Sequence, residues 1–252
     1  MPSDLFTAAL VVLAAFFGAA LNAAAGGGSF LTLPALLYAG IPPVAANATG
    51  TTALLPGYLA STWGFRDDLA APRALGMRAL LLVCVLGGGV GAGLLIATSN
   101  QAFRSLVPWL LLFATTLFAF GPTLLKAIGR HPGQHASRAQ ALIGVFAVCV
   151  YGGYFNGGLG VLLLALLTLM GETHLNRMNA LKNALSAILT LFAVAIYAAA
   201  GTVRWSWVAL MLPAVLLGGY VGARVARRIP PAALRWGIVA IGLGMSVLFF
   251  LR

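Results

Sequence analysis

Long apolar runs separated by short polar breaks make up almost the whole chain. They cover about 5–25, 29–39, 47–64, 74–98 and 103–126 in the first half, and about 139–156, 159–171, 179–200, 205–224 and 233–251 in the second. These lengths predict helices, because a transmembrane helix needs about 20 apolar residues while a barrel strand needs about 10 in strict alternation. The second run of each half is the exception. At 1.5 Å per residue, runs 29–39 and 159–171 would rise roughly 16–20 Å, short of a bilayer core of about 30 Å. Both short runs follow a glycine-rich break, Gly26-Gly27-Gly28 and Gly157-Gly158-Leu159-Gly160. Each half therefore opens with a helix, an irregular break and a half-length helix.

The two halves also match in detail. Shifting the sequence by 131 residues lays Gly26-Gly27 on Gly157-Gly158, Leu31 on Leu162, Gly40 on Gly171, Arg73 on Arg204 and Gly87-Gly88 on Gly218-Gly219. The series continues with Val90-Gly91-Ala92 on Val221-Gly222-Ala223 and Arg104 on Arg235, and a one-residue adjustment lays Asn47-Ala48 on Asn179-Ala180. Apolar stretches match by chance, but an ordered series of glycines and arginines reads as a duplication. The expected domains are a first membrane repeat over 1–128, a cytoplasmic linker over 129–138 and a second membrane repeat over 139–252.

Loop charge then sets orientation. If each opening pair is a hairpin, the loops at 65–78, 126–138, 172–182 and 224–235 share one side. That side holds Arg66, Arg73, Arg78, Lys126, Arg130, Arg138, Arg177, Lys182, Arg224, Arg227, Arg228 and Arg235, which is 12 of the 15 basic residues. Arg104, Arg204 and Arg252 remain for the other side. The positive-inside rule makes the crowded side cytoplasmic. Five passes per half is an odd number, so the second half enters the membrane upside down, with both termini outside. The expected fold is all-α: a polytopic integral membrane protein of two inverted repeats, each of about five membrane segments with a glycine-broken half-helix. The expected location is the bacterial inner membrane.

Composition agrees. Only 8% of residues are charged and 61% are hydrophobic, whereas a soluble domain carries about 25% charged residues, so no solvated surface could be assembled. The net charge of +11 would suggest nucleic acid in a soluble protein, but here the cations sit in short loops between apolar runs. Cys84 and Cys149 lie inside apolar runs and read as packing thiols; His131, His135 and His174 lie in or beside loops, so neither a metal nor a cofactor is expected. Leu5 to Ala20 followed by Ala23-Ala24-Ala25 imitates a signal peptide, yet Met1 to Asp4 has no basic residue and the segment has a counterpart in the second half. It is read as part of the mature protein.

The candidate chemistry lies at the breaks. Three consecutive glycines unravel a helix at membrane depth, and the freed N–H groups need protein, water or ligand. Ser29 is placed to cap the half-helix that follows, whose positive N-terminal end suits an anion. Asn22 lies one turn earlier, and Asn156, Gly157 and Gly158 repeat the arrangement. Tight packing is the competing reading there, and it is the preferred one for Gly87 to Gly93, Gly218-Gly219 and Gly222.

The third run of each half opens with a polar cluster: Asn47, Thr49, Thr51 and Thr52 in the first, Asn179, Lys182, Asn183 and Ser186 in the second. Bonding to neighbouring backbone would account for most of these. Lys182, about one turn into its run, costs more, and three explanations stay open: snorkelling to the interface, binding substrate, or pairing with Glu172. Glu172 is the second half's lone acidic residue, either a proton-coupling group or a loop residue.

The stretch Asn22 to Pro34, then Gly40-Ile41-Pro42-Pro43 and Ala46 to Thr51, with Gly153 to Gly160 and Asn179 to Asn183 in the second half, resembles the TauE/SafE family of membrane permeases, also called TSUP. The likeness spans nearly the whole chain, although Leu159 interrupts the second glycine motif and Pro34 has no counterpart. It implies a secondary transporter for sulfite, sulfonates or related sulfur-containing anions. The implied partners are a small anionic substrate coupled to H+ or Na+, membrane lipid and a homodimer mate, with no nucleic acid. No Gly-x-x-x-x-Gly-Lys-Ser/Thr occurs, so the chain does not hydrolyse nucleotide, and 4 acidic residues with 3 histidines offer no catalytic pair within the runs. A channel lined by the same breaks, or a carrier for a carboxylate, stays open beside the sulfur-anion transporter.

Overall fold

The computed structural model describes residues 4–72, 75–127, 137–226 and 231–250. Within them ten α-helices follow one another: α1 (Leu5–Ala25), α2 (Ser29–Tyr38), α3 (Pro43–Gly64), α4 (Met77–Ala97), α5 (Asn100–Ala127), α6 (Arg138–Tyr154), α7 (Leu159–Leu169), α8 (Leu175–Ala199), α9 (Trp205–Ala226) and α10 (Pro231–Phe250). There is no strand among the described residues. Leu5–Ala23, Met77–Ala97, Asn176–Ala199 and Trp205–Gly222 are long and apolar enough to cross a membrane by length and composition alone, and Ser29–Tyr38 and Leu159–Leu169 are the short apolar helices. The expected runs and observed helices agree closely, with two notable shifts, at the starts of α3 and α8. α3 starts at Pro43, four residues before the polar cluster, because Pro42 and Pro43 suit a helix start where no N–H need be donated. Most of the 129–138 linker, with His131, His135 and Arg130, lies outside the described residues, as do Arg73, Arg227, Arg228 and Arg252.

Side-chain proximity sets the direction of every helix. Pro42, Val44, Thr98, Asn100, Gly201 and Arg204 line one hollow, so the α2–α3, α4–α5 and α8–α9 loops share an end of the molecule, here called upper. Asp67, Asp68, Ala70, His174 and Arg177 line another, so the α3–α4 and α7–α8 loops share the lower end. α3 therefore runs down and α8 up, packed antiparallel. A methyl on Gly218 or Gly222 of α9 would strike Phe16 or Ala20 of α1, so these two helices run parallel and downward. Gly87 and Gly91 of α4 meet Cys149 and Val150 of α6 in the same way, so that pair runs upward. Trp109 stacks edge-on with Phe250 at 5.1 Å, and Gly242 abuts Thr115, so α10 rises against a descending α5. Each helix of the first five thus runs opposite to its counterpart in the second five. The close approaches at these glycines are what small residues provide between membrane helices, where no hydrophobic drive separates helix from lipid.

The ends differ in their number of basic residues, in the direction that the loop count anticipates. Arg66, Arg78, Arg138 and Arg177 stand at lower helix ends or loops, against Arg104 and Arg204 at the upper end, among the described side chains.

Candidate functional site

α2 has 10 residues and α7 has 11. At 1.5 Å per residue they rise about 15 and 16 Å, together about one bilayer core. α2 climbs from its break to the upper end, and α7 descends from its break to the lower. Their N-termini therefore meet near mid-depth, and the backbone shows it: a Cβ on Gly26 would lie 2.5 Å from the Cα of Gly160. Gly26 ends α1 at φ 87° and Gly158 precedes α7 at φ 75°, both left-handed, where a side chain is strained. Asn156 adopts φ 62°, alone among described non-glycine residues in the left-handed region, which asparagine tolerates better than most.

The two breaks leave donors free. Phe30, Leu31 and Thr32 use their N–H groups on Gly27 and Gly28 carbonyls, and Leu159, Val161 and Leu162 use theirs on Asn156 and Gly158. Among the described residues the N–H groups of Gly27, Gly28 and Ser29, and of Gly157, Gly158 and Gly160, make no hydrogen bond. Ser29 does not cap α2 as expected. It occupies the first helical position, Gly28 is the capping residue, and no side chain serves there. That omission keeps the positive end of α2 open.

A residue not singled out from sequence ties the junction together. The Tyr58 hydroxyl lies 3.3 Å from Asn22 Oδ1 and 3.2 Å from Asn156 Oδ1, linking an asparagine beside each break. One hydroxyl proton serves one acceptor at a time, and Asn156 Nδ2 is buried without a partner. Turning the Asn156 amide end for end would let Nδ2 donate to the tyrosine oxygen and satisfy both contacts. Tyr58 was legible in principle, since it falls three turns beyond Asn47 on the face of α3 that carries Thr51. Asn22, Tyr58, Ser61 and Asn183 line a cavity of about 10 Å³ at this junction, room for about one water. Tyr58→Phe is expected to lower stability by about 1–2 kcal/mol, the usual cost of leaving buried acceptors unpaired, and to alter transport rate; melting temperature and flux check it. Unchanged values for both would make the hydroxyl incidental.

The polar clusters divide. Asn183 reaches the junction cavity. Thr51 Oγ1, Ser186 Oγ and Asn47 Oδ1 are buried and unpartnered on the facing helices α3 and α8, joined by Thr190 Oγ1. Thr52 bonds the Ala48 carbonyl within its own helix, and Asn47 Nδ2 donates to the Tyr154 carbonyl. Thr49 is not at the junction: it accepts from the Arg204 N–H at the upper end. Asn179 is half-buried on the lower part of α8.

Lys182 is 2% exposed. It lies two turns into α8, not one, because α8 begins at Leu175. Among the described residues it has no hydrogen-bond or ion-pair partner, and Glu172 pairs instead with Arg177 at 3.8 Å. Pairing with Glu172 is thereby excluded, and burial this deep leaves snorkelling unsupported.

The family model described as sulfite exporter TauE/SafE matches residues 11–249. The chain belongs to the TauE/SafE family. Its relatives within that family carry transporter descriptions. A "probable membrane transporter protein" of Haemophilus influenzae is 26% identical over 86% of this chain and 84% of its own length. The Sinorhizobium protein called probable membrane transporter protein ORF9 is 26% identical over 95% and 90%. The Escherichia coli K12 protein called probable membrane transporter protein YfcA is 27% identical over 90% and 83%. No solved structure matches the chain. This TauE/SafE protein is a multi-pass membrane transporter.

Proposed function

We propose that the protein is a secondary transporter that carries small sulfur-containing anions, sulfite or organosulfonates, across the bacterial inner membrane. The observation that carries this reading is the meeting of two half-helix N-termini at mid-depth, with three free N–H groups from each break. Both ends contribute positive potential, and Lys182 adds a buried, unpaired ammonium on a neighbouring helix. Acidic groups are kept away: Glu172 is held by Arg177 at the lower loop, and Asp4, Asp67 and Asp68 are exposed outside the spans. A site rich in donors and poor in acceptors suits an oxyanion, whose several oxygens take many donors at once, and repels a cation. The description of the matched family names sulfite, which supports a sulfur oxyanion among such ligands.

The opposed directions of corresponding helices support an inverted repeat, the usual architecture for alternating access with a site at mid-membrane. The cavity of about 10 Å³ is too small for an oxyanion, so loading requires the breaks to part. That favours a carrier with an occluded state over an open pore, with an H+ or Na+ gradient as the driving force.

The test is a binding and flux screen on purified protein, using sulfite, sulfate, thiosulfate, taurine, sulfoacetate and acetate. Sulfite or a sulfonate is expected to raise the melting temperature, and its flux in proteoliposomes should saturate and be stimulated by substrate on the opposite side. Stabilisation by acetate alone would replace the sulfur reading with a carboxylate one, and flux that never saturates would replace the carrier with a channel.

A further inference from the structure

At the upper end, a crevice of about 580 Å³ opens between α1, α2, α5 and α10. Its trough is apolar, with Leu10 of α1, Leu31 and Pro34 of α2 and Met245 of α10 among its walls. Its rim is different. Arg104 and Tyr38 both border it, both are exposed, and among the described residues neither the guanidinium nor the phenol has a hydrogen-bond or ion-pair partner. Arg104 stands four residues into α5, about 6 Å along the helix from Asn100, whose side chain accepts from the Val44 N–H at the upper end. Tyr38, at the upper end of α2, is exposed beside it, and membrane proteins concentrate such rings where headgroups meet acyl chains.

We propose that this crevice is a binding site for an anionic phospholipid, with an acyl chain in the trough and its phosphate on Arg104 and Tyr38. A cation over an apolar slot is complementary to a molecule that has both parts. A zwitterionic lipid offers the same phosphate but brings a cationic headgroup that Arg104 would repel, and a small free anion would leave the trough empty. The planar fork of arginine also binds phosphate oxygens in pairs, which lysine cannot do. The wall formed by α2 gives the site a consequence. The same half-helix reaches the Gly26–Gly160 junction with its N-terminus, so a lipid seated against it is positioned to bias the parting of the breaks. The site itself stands whether or not the junction binds an anion.

The test is lipid retention by the purified full chain, read by native mass spectrometry and melting temperature, independent of transport. Phosphatidylglycerol is expected to be retained and to raise the melting temperature, while phosphatidylcholine with the same chains and inorganic phosphate at the same concentration are not. Arg104→Ala should weaken phosphatidylglycerol retention roughly tenfold, as loss of a charge-assisted contact implies, and Arg204→Ala, at the other upper cation, should leave it intact. Leu31→Trp, which fills the trough while sparing the rim, should also release the lipid. Equal retention of phosphatidylcholine, full retention by Arg104→Ala or by Leu31→Trp, or stabilisation by inorganic phosphate alone would overturn the proposal.

Discussion

Gly26→Ala is expected to abolish transport and to destabilise the protein by about 2–5 kcal/mol. Two costs add. A left-handed conformation strains a residue bearing Cβ by roughly 1–2 kcal/mol, and Gly26 sits at φ 87°. The added methyl would also lie 2.5 Å from Gly160 Cα and 2.9 Å from its nitrogen. Those are backbone atoms with no rotamer to yield, and overpacking of this kind costs about 1–3 kcal/mol more. Relief requires the two half-helix ends to separate, which dismantles the geometry proposed for the anion. A Cβ on Gly27 instead meets the Phe30 ring at 3.2 Å and the Leu21 side chain at 3.6 Å, side chains that can yield. Gly27→Ala should therefore be milder, and Gly64→Ala, where nothing lies within 4 Å, should be neutral toward transport. Melting temperature and proteoliposome flux of the three variants make the check; wild-type flux in Gly26→Ala would show that the junction does not need its close approach.

Lys182→Met is expected to separate stability from affinity. Methionine keeps most of the stem volume and discards the ammonium. A buried charge without a partner is costly, so its removal should leave the melting temperature unchanged or raise it. Anion affinity should fall by roughly 1–3 kcal/mol, about 5- to 150-fold, if the ammonium makes a charge-assisted bond to the ligand. A purely structural lysine predicts the reverse, with lower stability and unchanged affinity. Calorimetric titration with the best ligand of the screen, beside thermal melts, distinguishes the two. Equal affinity in Lys182→Met would remove this residue from the site.

Much of the architecture was legible in one dimension. Ten runs became ten helices, and the half-helices fall where three glycines or a Gly-Gly-Leu-Gly sequence interrupt an apolar stretch. Run length is local, since it sets what can span a bilayer; glycines weaken a helix without breaking it by themselves, as Gly87-Gly88-Gly89 stay inside α4. The family motif is local too, being concentrated at residues 22–52. The candidate site was legible in part. Asn22, Asn156 and the glycines come together, while Thr49, six residues from the start of the same α3 that carries Tyr58, ends up bonded at the upper end of the molecule.

The sequence by itself determined that the chain is helical, membrane-embedded and interrupted in two places, because those properties follow from composition and from the lengths of its apolar runs. Only the tertiary structure decided which breaks and side chains meet. It set Gly26 against Gly160, brought Tyr58 between Asn22 and Asn156, gave Glu172 to Arg177 and left Lys182 buried without a partner. The reason lies in the solvent. In a soluble helix, polarity marks the outer face and periodicity reveals the inner one. In a bilayer, lipid tails are as apolar as leucine, so a face that meets lipid and a face that meets another helix look alike in sequence. Contacts are then selected by shape, where small residues allow backbones to approach, and by buried polar groups that must find one another or a ligand.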